Sequence, residues 1–309
     1  MREVVVISGK GGTGKTSLSA AFAYLEGENA LICDCDVDAA NMHLLLDANF
    51  KNQRDFYSGE VALINEELCT NCGKCAEVCR FDAIHIINGQ HKVDPISCEG
   101  CHYCSKVCKQ DAIEMKTQKA GDIYTSDIKS GSKMVHAKLG FGAENSGKLV
   151  AKVKTDAKLM ALQKNKAYVI TDGSPGIGCP VISSLSGANL VVLVTEATIS
   201  GLHDLERVLK LVKNFSLKAV CIINKYDLNE EMSQNIECFL KEQDIEIVGK
   251  LPYDETFTKA LAKVQTIIEY DKDSNLSTTI KNSWNKIKES TINKPNKKRL
   301  ILKFHFETP

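Results

Sequence analysis

Eight of the 13 cysteines in this 309-residue chain fall in two runs that share the spacing C-x-x-C-x-x-C-x-x-x-C. The two runs are Cys69, Cys72, Cys75 and Cys79, followed by Cys98, Cys101, Cys104 and Cys108. Each cysteine of the first run recurs 29 residues later, and the apolar residues Val78 and Ala83 recur as Val107 and Ala112. A repeat that copies packing residues together with candidate ligands indicates an internal duplication.

The spacing of the cysteines favours iron–sulfur clusters over single metal ions. Structural zinc sites typically combine paired C-x-x-C units, whereas three cysteines at successive three-residue steps surround one face of a cubane and leave one iron for a distant thiolate. We therefore expect two 4Fe-4S clusters, with zinc ions or unmetallated cysteines as the alternatives. A disulfide framework is disfavoured, because the chain is long and has no signal peptide.

Residues 61–116, here called the insert, resemble bacterial two-cluster ferredoxins, in which the fourth cysteine of each run binds the other cluster. The resemblance implies a small α+β domain with crossed ligand sets. One set is Cys69, Cys72, Cys75 and Cys108, and the other is Cys98, Cys101, Cys104 and Cys79. Arg80 and Lys109 stand where that family usually has proline, a departure that removes a rigid turn but no ligand.

The segments on either side of the insert, residues 1–60 and 117–309, together predict one α/β domain. Apolar runs indicate buried strands, and a helical pattern starts at Lys15 after the first of them. The predicted strands are Val4 to Ser8, Ala30 to Asp34, Tyr168 to Asp172, Leu190 to Thr195 and Ala219 to Asn224. Strands that are apolar on both faces are typical of a mostly parallel sheet flanked by helices.

The first predicted strand leads into a phosphate-binding loop that matches the motif G-x-x-x-x-G-K-[ST]. The candidate nucleotide contacts of this loop are Gly9, Lys10, Gly11, Gly12, Thr13, Gly14, Lys15, Thr16 and Ser17. In such a loop, backbone N–H groups surround phosphate oxygens at a helix N-terminus. The Lys15 ammonium can bridge two phosphates, and the Thr16 hydroxyl can bind Mg²⁺.

A second lysine inside this loop, Lys10, makes the chain resemble the MinD/ParA superfamily of deviant Walker A P-loop ATPases, which includes the nitrogenase iron protein and Mrp-type proteins. The resemblance implies a homodimer with ATP and Mg²⁺ at the interface, or a heterodimer with a paralogue. It also implies catalytic roles for Lys10, which would reach the phosphates of the other subunit, for Lys15, and for Asp36, which would position the attacking water. Asp172 would hold Mg²⁺, and the Gly176 backbone would sense the terminal phosphate.

Two further segments resemble base-contacting loops. Asn224, Lys225 and Asp227 match the N-K-x-D pattern of GTPases, but the corresponding asparagine of MinD-like proteins contacts adenine. Pro252 and Tyr253 resemble the second base-contact loop of MinD-like proteins. We therefore expect ATP, with GTP as the alternative.

Five cysteines lie outside the two runs. Cys179 follows Asp172 at the spacing of a bridging cluster ligand in the nitrogenase iron protein, so it is a candidate additional ligand; the alternative is a buried residue before Pro180. The other four are expected to pack in the core. These are Cys33, Cys35, Cys221 and Cys238.

The end of the chain, residues 281–309, is a basic C-terminal tail. A basic segment beside apolar residues can contact an anionic membrane. Pro295 limits any helix in this tail, and its apolar run is short and alternates as a strand would. A solvated segment or an edge strand is therefore favoured over membrane contact.

Charge and composition narrow the function. The 39 basic and 39 acidic residues cancel, so we expect no nucleic acid binding driven by overall charge, and the absence of a signal peptide favours a cytoplasmic location. We expect an ATPase whose nucleotide-dependent dimer switch gates electron transfer through the two clusters, together with an unidentified redox or iron–sulfur partner protein. The alternative is a cluster assembly or carrier protein, or a positioning factor with structural clusters.

Overall fold

The structure is a computed structural model, and it describes residues 1–140, 142 and 145–292. The strands in this range are β1 (Arg2–Ile7), β2 (Ala30–Asp34), β3 (Asn52–Ile64), β4 (Ile84–Ile87), β5 (Gln90–Val93), β6 (Ile113–Asp127), β7 (Lys133–Leu139), β8 (Tyr168–Asp172), β9 (Leu190–Glu196), β10 (Ala219–Asn224) and β11 (Glu246–Leu251). The helices are α1 (Lys15–Glu26), α2 (Met42–Leu45), α3 (Lys74–Glu77), α4 (Tyr103–Val107), α5 (Ser146–Gln163), α6 (Cys179–Leu185), α7 (Ile199–Asn214), α8 (Glu230–Glu242), α9 (Thr256–Ala262), α10 (Ile267–Tyr270) and α11 (Asn275–Ile292).

Nine strands form one sheet in the order β11-β10-β9-β1-β8-β2-β7-β6-β3. Neighbouring strands from β11 to β7 are parallel, whereas β6 pairs antiparallel with both β7 and β3. The central strands are buried on both faces, as Val4, Val5 and Val6 of β1 illustrate. The predicted mostly parallel sheet flanked by helices is confirmed.

Helices cover both faces of this sheet. On one face α1 and α11 pack together, with the rings of Phe22 and Trp284 stacked at a centroid distance of 4.9 Å and Trp284 Nε1 donating a hydrogen bond to Glu26 at 2.7 Å. The opposite face is covered by α5, α6, α7 and α8. None of the described helices has both the length and the apolar character that a membrane crossing requires.

Strands β3 and β6 form an antiparallel ribbon at the edge of the sheet. Asn52 pairs with Thr125 at the base of this ribbon, and Ile64 pairs with Ile113 at its tip. Because β7 pairs only with the stretch of β6 from residue 121 to 127, the rest of the ribbon extends past the sheet. The expected insert boundaries, at residues 61 and 116, fall inside the two strands, so ribbon and insert are continuous.

The insert folds around a small core and keeps the symmetry of its sequence repeat. Helices α3 and α4 and the hairpin of β4 and β5 surround a core that includes Ile84. Residues 29 positions apart share the left-handed backbone conformation: φ is +56° at Asn71 and +60° at Gly100, and +49° at Asp82 and +48° at Asp111. The duplication is therefore present in the backbone as well as in the sequence.

The predicted basic tail is only partly within the described residues, because residues 293–309 lie outside them. Residues 281–292 form the end of α11, which differs from the expected solvated segment or edge strand. The reason is that Trp284 and Ile287 are buried against the main core, so the helix continues through them.

Candidate nucleotide site and cysteine cavities

The phosphate-binding loop joins β1 to α1 in a conformation that requires glycine at its last position. Gly14, directly before α1, has φ +91°, and a β-carbon there would lie 2.5 Å from Nδ2 of Asn224. That Nδ2 group donates a hydrogen bond to the Thr13 carbonyl at 2.9 Å. The end of β10 thus fixes the loop at the N-terminus of α1, where helical N–H groups can bind an anion.

Asp172 ends β8 directly beside this loop. Its Oδ2 atom accepts a hydrogen bond from the Thr16 hydroxyl, and its Oδ1 atom accepts one from the Ser19 hydroxyl, both at 2.8 Å. The Lys15 ammonium lies 3.0 Å from Asp172 Oδ1 and 3.6 Å from Asp36 Oδ2. Because β1, β8 and β2 are parallel neighbours, their carboxyl ends bring these groups to one edge of the sheet.

This cluster contains one cation and several acidic groups. Lys15 is buried, and burial alone would lower its pKa, but the carboxylates of Asp172, Asp36 and Asp34 raise it, so the ammonium stays charged. Burial raises the pKa of Asp36, against the opposing influence of Lys15. A single buried cation therefore faces three carboxyl groups before any nucleotide binds.

Asp34 is a member of this cluster that is not among the residues predicted from the sequence. It ends β2 in register with Asp172, and its side chain is 1% exposed. Oδ1 accepts a hydrogen bond from the Asp36 N–H at 3.0 Å, whereas Oδ2 has no partner among the described residues. Burial, with a further contribution from the Asp172 carboxylate, raises the pKa of Asp34 to about 8. An unpartnered buried carboxyl oxygen beside the Asp172 carboxylate fits a site for Mg²⁺ and its bound waters.

An open cleft with a volume of about 780 Å³ adjoins these groups, which is a size typical of ligand sites. The predicted residues that line it are Gly11, Gly12, Thr13, Gly14, Lys15, Thr16, Ser17 and Asp36. Asp38, Ser146, Pro175 and Leu261 are among its other lining residues. The predicted residues outside its lining are Gly9, Lys10, Asp172, Gly176, Asn224, Lys225, Asp227, Pro252 and Tyr253.

Lys10 makes its contacts within its own chain. Its Nζ atom lies 2.6 Å from Glu196 Oε1 and donates a hydrogen bond to the Ser200 hydroxyl at 2.7 Å. Glu196 ends β9 and also contacts Lys225 Nζ at 3.0 Å. Burial alone would raise the pKa of Glu196, but hydrogen bonds from the two lysines hold it below the usual value. The structure therefore shows Lys10 in a contact within one subunit.

The two predicted base-contact loops meet each other. Asp227 Oδ1 accepts a hydrogen bond from the Tyr253 N–H, directly after Pro252, at 2.7 Å. Asn224 instead uses both ends of its side chain on the protein, because its Oδ1 atom accepts the Lys225 N–H while Nδ2 contacts the phosphate loop. The Lys225 ammonium also contacts that loop, at the Gly12 carbonyl, 3.1 Å away. Asn224 and Lys225 thus support the phosphate loop directly.

The loop after β8 is held by hydrogen bonds to two neighbouring segments. The Gly176 N–H donates to the Ser8 carbonyl at 2.9 Å, and the Ser174 hydroxyl donates to the Cys35 carbonyl at 2.6 Å. Gly176 has φ +91°, a conformation that favours glycine. Because its N–H group is already bonded, sensing of a phosphate by Gly176 requires this loop to change conformation.

The eight cysteines of the two runs line two small cavities, and each cavity contains residues of both runs. One is lined by Cys69, Cys72, Cys75 and Cys108. The other is lined by Cys98, Cys101, Cys104 and Cys79. This grouping is the crossed one that the ferredoxin resemblance implies.

The cavities have the donor chemistry that a cubane cluster needs. Each iron of a 4Fe-4S cluster takes one thiolate, so four sulfur atoms distributed around a cavity fit the group. The Cys69 sulfur accepts a hydrogen bond from the Asn71 N–H and the Cys79 sulfur accepts one from the Ala83 N–H, both at 3.4 Å, and such bonds to sulfur tune clusters. Within the part of the chain that the structure describes, no three His, Cys, Asp or Glu side chains are arranged to hold a single metal ion.

The remaining cysteines differ in exposure. Cys179 is exposed at the start of α6, not buried, and Cys33, Cys35 and Cys221 are buried as expected. The expectation that Cys238 packs in the core is wrong, because Cys238 is exposed on α8. The buried positions of that helix are Ser233, Ile236 and Leu240.

Ser19 and Glu196 are also absent from the residues predicted from the sequence. Ser19 lies four positions after Lys15, a spacing that places both side chains on one face of α1. Glu196 is a polar residue at the carboxyl end of a parallel strand, where ligands of such sheets bind. The helical spacing from Lys15 could therefore have identified Ser19, and the position at the end of a strand could have identified Glu196.

Proteins of known structure share this fold at low sequence identity. The septum site-determining protein MinD from Pyrococcus horikoshii OT3, complexed with Mg-ADP, matches with a TM-score of 0.57 and 18% identity over 94% of this chain and 96% of its own. A Cyanothece McdA variant in complex with ATP matches with a TM-score of 0.57 and 17% identity over 96% of this chain and 99% of its own.

Sequence relatives and a family model extend this comparison. Uncharacterized protein MJ0578 of Methanocaldococcus jannaschii is 37% identical over 290 residues, which is 93% of this chain and 96% of that protein. Uncharacterized protein MJ0579 of the same organism is 28% identical over 301 residues, which is 88% of this chain and 93% of that protein. The model of the CobQ/CobB/MinD/ParA nucleotide binding domain matches residues 4–267. The chain therefore belongs to the CobQ/CobB/MinD/ParA nucleotide-binding family.

Proposed function

We propose that this protein is an ATPase whose nucleotide-dependent dimer switch controls electron transfer through two 4Fe-4S clusters. The observation that carries the proposal is the position of the ribbon of β3 and β6. Ile64 and Ile113 at its tip line one cysteine cavity, and Ala62 and Met115 nearby line the other. At its base, Tyr124 lines a cavity together with Asp38, Ala39 and Asn41, and these three residues also line the nucleotide cleft.

ATP and Mg²⁺ are the proposed ligands of the cleft, in line with the nucleotides bound in the similar structures of MinD and McdA. Lys15 would bind the phosphates, and Thr16, Asp172 and Asp34 would hold the cation directly or through water. When bound, Mg²⁺ neutralises charge that develops on the phosphate oxygens. Asp36 would orient the water that attacks the terminal phosphorus, giving ADP and inorganic phosphate.

Base recognition is proposed for the linked segment of Asp227, Pro252 and Tyr253. Asn224 is proposed to contact adenine, and Lys225 is proposed to contact the nucleotide. Both side chains also support the phosphate loop. A preference for ATP over GTP is therefore part of the proposal. Competition between the two nucleotides in an equilibrium binding assay tests it.

The insert is proposed to be a ferredoxin domain that holds one cluster in each cysteine cavity, with the crossed ligand sets given above. When bound, the clusters accept and release single electrons. The protein supplies thiolates, N–H groups directed at sulfur, and an apolar surround that includes Ile84. Cys179 is not assigned to either cluster in this proposal. Among the described residues of one chain, no group of side chains completes a further metal site around it.

A cluster of side-chain rings connects the nucleotide cleft with the base of the ribbon. The segment of residues 38–41 lines the nucleotide cleft and also a second cavity, of about 350 Å³, whose other walls include Phe50, Tyr124 and His136. The Phe50 ring lies 5.0 Å from that of Tyr124 and 5.1 Å from that of His136, measured between centroids. Tyr124 belongs to β6, so a movement of this segment on nucleotide binding would act on the base of the ribbon.

A dimer is proposed because the chain resembles a superfamily in which the lysine matching Lys10 completes the phosphate site of a second subunit; here Lys10 can do so only after it leaves Glu196. Positive charge supplied across an interface stabilises the transition state of phosphoryl transfer. The second subunit is proposed to be another copy of this chain. The two relatives found in one organism make a paralogue the alternative partner.

A cluster carrier is the second candidate function. It is favoured by the exposure of Cys72 and Cys101, one in each run, because an exposed ligand facilitates transfer of a cluster to another protein. A carrier would lose its clusters to an acceptor apoprotein upon ATP hydrolysis. An electron-transfer protein would keep them through many turnovers.

The test uses the anaerobically purified protein. We expect about eight irons and eight sulfides per chain. After the clusters are chemically reduced, we expect a rate of electron transfer from them to a soluble acceptor that differs between Mg-ATP and Mg-ADP. The Lys15→Ala variant is the control, since its rate should not depend on nucleotide. Two zinc ions without sulfide would contradict the cluster assignment, and equal rates with both nucleotides would contradict gating.

A further inference from the structure

The two halves of the insert repeat have different surroundings, although their backbones match. In the second run, Gly100 lies so close to the Glu60 carbonyl of β3 that a β-carbon at this position would overlap the oxygen. Gly100 also has φ +60°, a conformation that suits glycine. The loop between Cys98 and Cys104 is therefore pressed directly against the ribbon.

The equivalent residue of the first run lacks this constraint. Asn71 has the same left-handed conformation, φ +56°, and asparagine tolerates it. Its side chain stays within the insert, where Oδ1 lies 3.4 Å from Nδ1 of His91. An asparagine is accommodated in the first run, whereas contact with β3 requires a glycine in the second.

Side chains strengthen the contact of the second run with the ribbon. His102 Nε2 lies 2.6 Å from Glu60 Oε2, so the same residue of β3 contacts the loop through its backbone and through its carboxylate. The corresponding residue of the first run is Gly73, which has no side chain for such a contact. The repeat has thus diverged at two positions, and both differences attach the second run to β3.

The segment just before the second run, and the ribbon itself, also approach the part of the chain beside the nucleotide cleft. Ile96 Cγ2 would be 3.5 Å from a β-carbon on Gly142, and a β-carbon on Gly59 of the ribbon would be 3.8 Å from Nδ2 of Asn145. Asn145 precedes Ser146, which lines the nucleotide cleft. In contrast, the polar contacts of the first run lie within the insert: the Cys69 N–H donates to the Asn65 carbonyl, and Asn71 Oδ1 lies beside His91 Nδ1.

We propose that nucleotide state acts selectively on the loop of Cys98 to Cys104, and so on the cluster of that set, while the loop of Cys69 to Cys75 does not respond. This inference rests on the proposed function, because it specifies which of the two cluster sites is gated. Movement of the ribbon reaches the second loop through Glu60, and movement of the segment at Gly142 reaches Ile96, two residues before Cys98. Within the described part of the chain, the ribbon reaches the first loop only by apolar packing of Ile64 and Ile113 at its tip. In contrast, it holds the second loop by the close approach of Gly100 and the contact of His102 with Glu60.

The test compares the two loops in the same molecule. Hydrogen exchange of the anaerobic cluster-loaded protein is measured by mass spectrometry with Mg-ADP and with a non-hydrolysable ATP analogue. We expect exchange of residues 98–104 to change by about twofold or more, with no change in residues 69–75. Equal changes in both loops, or a change in the first alone, would overturn selectivity and leave gating intact. No change in either loop would contradict both this inference and the proposed function.

Matched substitutions assign the response to the contact with β3. Gly100→Asn gives the second run the residue found in the first, so it keeps the left-handed turn but cannot approach Glu60. We expect the exchange response of residues 98–104 to disappear in this variant and to persist in the control Asn71→Gly. A full response in Gly100→Asn would overturn the role of the contact.

A second pair covers the case in which Gly100→Asn lowers the iron content. Glu60→Gln weakens the contact with His102, and Glu66→Gln removes a carboxylate that lies 3.3 Å from Lys92 within the insert. We expect a reduced response only in Glu60→Gln. A response that is equal in the two variants and in the unmodified protein would reject the proposed route.

Discussion

The ammonium group of Lys10 lies 2.6 Å from the carboxylate of Glu196, at the end of the strand beside β1. The same carboxylate contacts Lys225, which in turn reaches the phosphate loop at Gly12. Glu196 thus holds two cations at the rim of the nucleotide site. If Lys10 acts on a second subunit, it must first leave Glu196. Breaking this ion pair would then add a free-energy cost to dimerisation.

Lys10 and Lys15 should differ in what their removal costs. Lys15→Ala should abolish nucleotide binding, because the ammonium beside Asp172 is the buried cation of the site. Lys10→Ala should keep binding and lose hydrolysis, since its contribution would come only in the transition state. Equilibrium nucleotide binding and phosphate release check the two effects. An equal loss of binding in both variants would contradict the division of roles.

Glu196→Gln should favour the ATP-bound dimer. The substitution removes the charge that holds Lys10, a partly buried pair worth about 1 kcal/mol, and a dimer of two copies breaks two such pairs, so dimerisation should strengthen by about 30-fold. Analytical ultracentrifugation with a non-hydrolysable ATP analogue measures the effect. Glu206→Gln, on the following helix, serves as a control for loss of one acid. Weaker dimerisation in Glu196→Gln would show that Glu196 supports assembly instead.

His136 should make the free energy of unfolding depend on pH. Burial, with a smaller effect of His43, lowers the pKa of His136 from 6.5 to about 4. Below pH 6.5 the unfolded chain therefore binds a proton at His136 that the folded protein resists, so the contribution of this residue to stability falls by about 1.4 kcal/mol per pH unit, or about 3 kcal/mol in all, as the pH decreases to 4. Asp34, whose pKa burial raises to about 8, has the opposite dependence over this range, so the contribution of His136 is measured as the difference between the protein and its variant. Urea unfolding of His136→Gln should lack this contribution, and that of His203→Gln, at an exposed site, should retain it. The same slope in all three proteins would contradict the assignment.

Crossed ligation can be tested by counting irons in double variants. If Cys79 belongs with the Cys98 set, Cys79→Ala combined with Cys101→Ala disrupts one cluster and leaves about four irons. Cys79→Ala combined with Cys72→Ala then disrupts both clusters and leaves almost none. Iron and sulfide analysis distinguishes the two variants. The reverse result would establish that each run holds its own cluster.

The sequence predicts those parts of the site that depend on local order. The phosphate loop and the strands ending at Asp34 and Asp172 follow from short patterns, because glycine conformations and apolar runs act over a few residues. Asp34 is missed because its importance comes from the register of β2 with β8, across 138 positions of sequence. The contact of Lys10 with Glu196 depends likewise on which strands become neighbours in the sheet.

The ends of the insert illustrate a different limit. Cysteine spacing defines where ligands lie, and residues 61–116 contain all eight cysteines of the two runs. Cysteine spacing carries no information on where a strand begins. The two strands of the ribbon, Asn52–Ile64 and Ile113–Asp127, therefore could not be predicted from it. This ribbon is the physical link on which the account depends, because it joins the rings around Phe50 to the cysteine cavities.

The most direct test of that account is a redox titration of the clusters in four samples: the nucleotide-free, Mg-ADP and Mg-ATP forms of the protein, and Mg-ATP-bound Asp36→Asn. This variant should bind ATP without hydrolysing it and so accumulate the ATP state. We predict that the midpoint potential, and the rate of iron release to a chelator, differ in the two ATP samples from those in the other two, because both quantities respond to solvent exposure and hydrogen bonding at the clusters. Identical potentials and identical release rates in all four samples would contradict gating.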